Sequence, residues 1–255
     1  MSTISSLSDE EKVSFISNYA KACERSKNSR FHYIMETFDA LPKGRALDYG
    51  CGWGHNTVSL SKRGFCVVGI DHSLEEVSVC NLAWASFLGP NLCFEHKTII
   101  DFADASFNYV LSNQVIEHVH NPGLYLSEIN RVLLPEGKLV ISLPNIMTIR
   151  YFVNMLYRGF AQSLFKRSVE VNEHYDKSSD HIQAWDPYHF TTLVSTVGFK
   201  LEKYIPMEGL PVPINTPLTK EKGYWQTKIK RLSNLSYTML FQFKKIADVR
   251  ISPQD

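Results

Sequence analysis

Nowhere does the 255-residue chain approach the ~18 consecutive apolar residues of a membrane-spanning helix. Its first residues, MSTISSLSDEEKVSF, have neither a basic start nor an apolar core, so they do not read as a secretory signal. No charge of one sign dominates. Lys and Arg number 27 against 26 Asp and Glu, a formal net charge of +1, so no global field draws the protein onto nucleic acid. Cysteine is sparse. Cys23, Cys51, Cys66, Cys80 and Cys93 are odd in number and form no C-x-x-C pair, which argues against a zinc site or redox dithiol and for reduced thiols in a cytoplasmic protein. There is no G-x-S-x-G to supply a covalent nucleophile, no internal repeat and no low-complexity segment.

What is present is an ordinary globular composition, 44% hydrophobic and 21% charged. We read residues 1–255 as a single domain. Ser8-Asp9-Glu10-Glu11 opens a helix with acidic residues in its first turn. A second helix carries Phe31, Ile34, Met35 and Phe38 on one face and breaks at Pro42-Lys43-Gly44. Residues 1–41 thus form an N-terminal helical cap. A rhythm of strand and helix follows: RALDY, then a glycine-rich turn and a helix through Leu60; FCVVGID, then SLEEVSVCNLAWASFLG as a helix capped by Ser73; LCFEH; FNYVLS, then NPGLYLSEINRVL as a helix ended by Pro135 and Gly137; and KLVISLP. The helix DPYHFTTLVSTVGF and the strands FKLEKYI and TMLFQFKKI complete a doubly wound α/β fold. The expected sheet has seven strands, mostly parallel with an antiparallel last strand, and helices on both faces. Residues 145–185 and 206–236 are expected to be inserts over the substrate side.

The stretch ALDYGCGWGHNT carries glycines at alternate positions, Gly50, Gly52 and Gly54, directly after the first strand. Such a cluster suits a backbone that turns sharply and lets a ligand approach. In a parallel sheet that ligand lies beyond the carboxyl ends of the strands. The second strand ends in Asp71, whose carboxylate can accept hydrogen bonds from both hydroxyls of a ribose. An adenosine-containing ligand is the expectation. A dinucleotide would want G-x-G-x-x-G, but the third glycine comes one position early and His55 occupies the final place.

LDYGCGWG, with Asp48 two residues before the first glycine, resembles the first motif of the class I S-adenosylmethionine-dependent methyltransferases. GIDHS resembles the second motif of that family. SFNYVLSNQVIEHV and EINRVLLPEGKLVISLPN resemble its fourth- and fifth-strand segments, and FTTLVSTVGF the helix entering the sixth strand. Within the family the chain is most similar to the ubiquinone-biosynthesis O-methyltransferases, whose NPxR-like segment is matched by NSRFHYI with Ser29 in place of proline. The resemblance implies S-adenosylmethionine as cofactor. It implies that Arg30 pairs with the methionine carboxylate, that Gly50 lies against the methionine part, that Asp71 holds the ribose and that Val115 flanks the cofactor.

The residues themselves agree with that chemistry. The backbone of Gly50, Cys51 and Gly52 and the carboxylate of Asp48 suit the ammonium group, although Asp48 alternatively only braces the turn. His72 is placed to stack on adenine, Thr98 and Ile99 to offer backbone contacts to its edge, and Asn113 to line the pocket with Val115. Gln114-Val115-Ile116-Glu117-His118 stands where the ubiquinone-pathway enzymes carry E-x-x-E-H, a pattern linked to a divalent metal. Here the first carboxylate is an amide, and a hard cation with one fewer anionic ligand binds more weakly, so no metal is expected. His118 then acts as a general base, or the pair is structural or lines the cofactor pocket.

His174, Tyr175, His181, Trp185, Tyr188 and His189 form a polar-aromatic lid candidate, from which His181 is the second expected catalytic residue. Residues 220–245 are rich in basic side chains, which suit a solvated helix face better than contact with an anionic membrane. N-P-P-[YF] and Pro-Cys are both missing, which argues against nucleic-acid methylation and for a small or glycan- or lipid-linked acceptor, methylated at oxygen. The rivals are a non-catalytic cofactor-binding subunit and an NAD-dependent oxidoreductase.

Overall fold

The computed structural model describes residues 7–25, 29–148, 156, 182–207, 210–211, 224–225 and 236–251. Helix α1 (Asp9–Arg25) opens with a reciprocal cap, the Ser8 N–H donating to Glu11 Oε2 at 2.9 Å and the Glu11 N–H to Ser8 Oγ at 3.4 Å. Helix α2 (Arg30–Asp39) is capped by Ser29 and buries Phe31, Ile34, Met35 and Phe38, the face that the periodicity marks. Full burial of a side chain such as Phe38 contributes ~1.5–3 kcal/mol.

Strand β1 (Arg45–Tyr49) is followed by α3 (His55–Lys62), β2 (Cys66–Asp71), α4 (Leu74–Ala83), β3 (Leu92–His96), β4 (Phe107–Asn113), α5 (Pro122–Val132) and β5 (Leu133–Pro144). Then come α6 (Pro187–Thr196), β6 (Phe199–Met207), the two-residue strands β7 (Leu210–Pro211) and β8 (Tyr224–Trp225), which pair with each other, and β9 (Thr238–Lys245). The seven-stranded sheet has the order β3-β2-β1-β4-β5-β9-β6. Strands β1 to β5 pair in parallel, and β9 runs antiparallel between β5 and β6. The chain enters at β1, winds outward to β3, and returns to the other side of β1 at β4. That reversal opens a crevice beyond β1.

Successive strand residues face opposite layers. Ala46, Val67, Tyr109 and Val140 pack with α1, α2, α3 and α4 residues on one face, while Leu47, Val68, Val110, Leu139 and Ile141 pack with α5 and α6 on the other. Both faces are covered, which is why the central strands read as continuous apolar runs.

One helix end and one strand start differ from the expectation. Helix α4 stops at Ala83 instead of running to Gly89, and a single 3-10 turn, Ala85–Phe87, follows. The Trp84 indole N–H donates to the Trp53 carbonyl at 2.9 Å, anchoring the chain to the glycine loop where the helix would continue. Helix α5 ends at Val132 with Leu133 as its C-cap, as expected, but strand β5 starts at Leu133 instead of Lys138. Leu133 is already extended and pairs with Phe107, so sheet pairing takes over, and the ladder shifts register across Pro135 to Gly137 before Lys138 pairs with Tyr109. His174, Tyr175 and His181, with most of 145–185, 206–236 and the basic run from 220, lie outside the described residues. No helix among the described residues is long and apolar enough to cross a membrane.

Candidate active site

The glycine loop folds back over the end of β2. The N–H groups of Gly50 and Cys51 both donate to the Ile70 carbonyl, at 2.9 and 3.0 Å. Gly50, Gly52 and Gly54 all have positive φ, at +80°, +50° and +72°. At Gly50 sterics decide as well, because a Cβ would overlap Cγ2 of Val115. Gly54 then starts α3 in the left-handed region, which accounts for the alternate spacing.

Asp71 is buried at the end of β2. Its Oδ2 accepts the Gly52 N–H at 3.0 Å and its Oδ1 accepts the Ser73 N–H at 3.0 Å. Each carboxylate oxygen keeps a further lone pair for a ligand hydroxyl. His72 is largely exposed, with Nδ1 3.2 Å from Asp71 Oδ1 and its carbonyl 3.0 Å from His96 Nε2. Thr98 and Ile99, just beyond β3, are exposed at the same edge of the sheet. The Cys51 thiol is buried against Cys80, whose hydrogen bond, together with burial, pushes its pKa well above the usual thiol range.

On the other side of β1, β4 ends at Asn113, whose Oδ1 accepts the Ser142 hydroxyl at 2.6 Å. Gln114 follows with φ +60°, rare for a non-glycine residue, and directs the chain into the turn Ile116–His118. Val115 is half-buried against Gly50, and His118 lies in the turn with its N–H donating to the Val115 carbonyl at 2.9 Å. The Glu117 carbonyl accepts N–H groups from both Ile182 and Gln183 at 3.0 Å, and the Ile146 N–H donates to the Trp185 carbonyl at 3.0 Å. These bonds stitch residues 182–185 to the carboxyl edge of the sheet.

The electrostatics concentrate here. Asp48 is fully buried in the middle of the sheet, where Oδ2 accepts the Thr57 hydroxyl at 2.6 Å and Oδ1 has no partner. Burial raises its pKa to about 7, the Thr57 hydrogen bond opposing and the Asp71 charge adding. Glu117 is 1% exposed with both carboxylate oxygens unpartnered, and burial raises it to about 7 against the lowering pull of its own backbone and Arg30. His55 has an unpartnered Nδ1, and burial followed by the Arg30 charge lowers it to about 4. Arg30, first residue of α2, is the cation that both Glu117 and His55 sense.

Thr57, His55 and the bare carboxylate of Glu117 are parts of this centre that motif reading alone does not single out. The one available signal for the first two is position, in the first turn of the helix that Gly54 opens. No group of three or more His, Cys, Asp or Glu among the described residues is arranged to hold a metal ion.

Comparison with known proteins gives this architecture its class. Residues 19–204, well over half of the chain, match the methyltransferase domain family. The chain belongs to it, as a class I methyltransferase whose cofactor is S-adenosylmethionine. Membership decides against the dehydrogenase alternative.

Over 146 residues the chain is 34% identical to a ubiquinone biosynthesis O-methyltransferase of Hahella chejuensis, a match covering 52% of this chain and 60% of that protein. Over 181 residues it is 26% identical to the Actinobacillus pleuropneumoniae protein of the same name, covering 64% and 77%. The chain thus spans less than two thirds of the first relative's length. Among solved structures, a Haloferax volcanii methyltransferase in complex with the Trm112 methyltransferase activator superposes with a TM-score of 0.59 at 16% identity, covering 93% of this chain and 98% of that one. A Bacillus halodurans structure described as a candidate methyltransferase gives 0.58 at 17%, covering 86% and 99%. At these identities the likeness concerns the fold.

The residues fit the cofactor. Asp48 Oδ1, His55 Nδ1 and both Glu117 oxygens are buried without partners, and His55 and Glu117 both sense the Arg30 charge. Buried polar groups left open in this way are what a bound polar ligand satisfies.

Proposed function

We propose that the protein transfers a methyl group to a hydroxyl of a small-molecule, or glycan- or lipid-linked, acceptor. The observation that carries the reading is the Asp71 carboxylate, oriented by two backbone N–H groups over the glycine loop, the arrangement a ribose requires. Arg30 takes the methionine carboxylate, the Gly50–Cys51–Gly52 backbone and Asp48 line the methionine part, and Asp71 clasps the ribose. His72, Thr98 and Ile99 border the adenine, and Asn113 and Val115 close the pocket from β4. Bound S-adenosylmethionine supplies an activated methyl on a sulfonium that departs as a neutral thioether. The chain aligns the acceptor and excludes water, and His118 takes the hydroxyl proton on its imidazole. His181, assigned from the sequence, is the second catalytic residue of this reading.

Methylation at oxygen is supported by the relatives named O-methyltransferases, and the small net charge favours a small acceptor over nucleic acid. A second reading, a cofactor-binding subunit working beside a partner, draws on the Haloferax volcanii complex with its activator. The test is incubation of the purified chain with labelled S-adenosylmethionine and panels of hydroxyl- and amine-bearing metabolites. Appearance of S-adenosylhomocysteine with a hydroxyl acceptor, slowed in His118→Ala at unchanged cofactor affinity, is the expected result. Turnover with amines alone overturns the O-methylation reading, and turnover only after a second protein is added favours the subunit reading.

A further inference from the structure

We propose that Glu117 is the carboxylate that recognises the α-ammonium group of the cofactor, opposite Arg30, and so makes the site selective for an intact amino-acid end. The proposal rests on the cofactor reading above and adds a specificity residue to it.

A carboxylate removed from water without a hydrogen bond is among the most costly features a fold can carry. Among the described residues, Glu117 alone leaves both oxygens of a buried carboxylate unpartnered. Its position is not accidental slack. The left-handed Gln114 turns the chain inward, and the Glu117 carbonyl is held by the Ile182 and Gln183 N–H groups, so the backbone is fixed while the side-chain end is left open.

The groups that face it define the missing partner. The Arg30 charge acts on it from α2, and Tyr125 of α5, bonded to the Ser112 hydroxyl at 2.8 Å, senses both the Glu117 and Asp48 charges. A guanidinium and a bare carboxylate within each other's field form the complement of a zwitterion. The guanidinium matches a carboxylate, and the bare carboxylate matches an ammonium. A metal ion would require further donors, and no cluster of three such ligands is present among the described residues. An organic cation needs only the carboxylate and carbonyl oxygens. Substrate and product both keep the ammonium, so Glu117 favours each equally and rejects nucleosides that lack it.

The test is calorimetry with three ligands: S-adenosylhomocysteine, its analogue without the amino group, and 5′-methylthioadenosine, which lacks the amino-acid end. The wild-type chain is expected to favour the first over the desamino analogue by at least about 10-fold, the scale of a charge-assisted hydrogen bond. Glu117→Gln, close in shape, is expected to remove that preference while leaving methylthioadenosine binding unchanged. Retention of the preference, or an equal loss for all three ligands, overturns the proposal.

A measurement on the unaltered chain guards against a variant that does not fold. Near neutral pH, S-adenosylhomocysteine should displace a proton on binding, seen as heat that depends on buffer ionisation, while the desamino analogue should displace none. Equal proton counts overturn the proposal. Wild-type protein that binds none of the three ligands overturns the cofactor reading itself, a different and recognisable failure.

Discussion

Asp71 and Glu117 flank β1 from its two neighbouring strands, yet they are treated in opposite ways. Asp71 has both oxygens engaged by backbone N–H groups, whereas Glu117 has neither engaged. On one side of the crevice the acid is held in place by loop backbone. The other side holds charges in a poorly solvated setting that a zwitterion would relieve. The contrast separates preorganisation by backbone from recognition by unmet charge, and the two respond differently to perturbation.

The largest effects should come from glycines at two sites. Gly50→Ala puts a side chain into Val115 at a φ of +80°, and Gly198→Ala at the same φ collides with the Ala247 carbonyl oxygen far from the crevice. Each is expected to lower stability by about 2–4 kcal/mol in thermal unfolding, but only Gly50→Ala should also abolish cofactor binding. Equal binding by the two variants would erase the distinction between loop and scaffold. Next is Asp71→Ala, which removes the ribose acceptor and strands two loop N–H groups. Calorimetry should show affinity for all three adenosine ligands falling about 10- to 100-fold.

The pH response is smaller and tests the charged side. Asp48 and Glu117 stand at about 7 in the fold, against about 4 in an unfolded chain. The native state therefore holds more protons between those values, and their contribution is full below about pH 4 and lost as pH rises through 7. His55 runs the other way. Held down to about 4 against about 6.5 unfolded, its contribution is present above about pH 6.5 and lost as pH falls. Above about pH 6.5 only the carboxyls still act, so the melting temperature of the free protein should drop by several degrees toward about pH 8, and less in Glu117→Gln. The smallest effect belongs to Thr57→Val, which deletes the hydroxyl bonded to Asp48. A loss of about 1 kcal/mol in denaturant unfolding is expected, with a steeper pH dependence as Asp48 rises further.

The fold was legible where physics is local. Strands β1 to β5 announce themselves as apolar runs, and Ser8 and Ser73 stand at the helix starts they predict. The end of α4 and the start of β5 were not legible, because Trp84 answers to Trp53 and Leu133 to Phe107, partners distant in sequence. In the site, Asp71 and the glycines can be read from spacing alone. The isolation of Glu117 cannot, since the bonds from residues 182 and 183 and the charge of Arg30 come from parts of the chain distant in sequence.

The chain leaves the sheet at Asn145 and Ile146 and is fastened again at Trp185, a parallel bridge and a hydrogen bond joining the two points. Two points tied together in this way tolerate change in the length of chain that joins them, since even a doubling costs only about 0.6 kcal/mol of closure entropy. The sheet can therefore keep its register at β5 while that stretch varies.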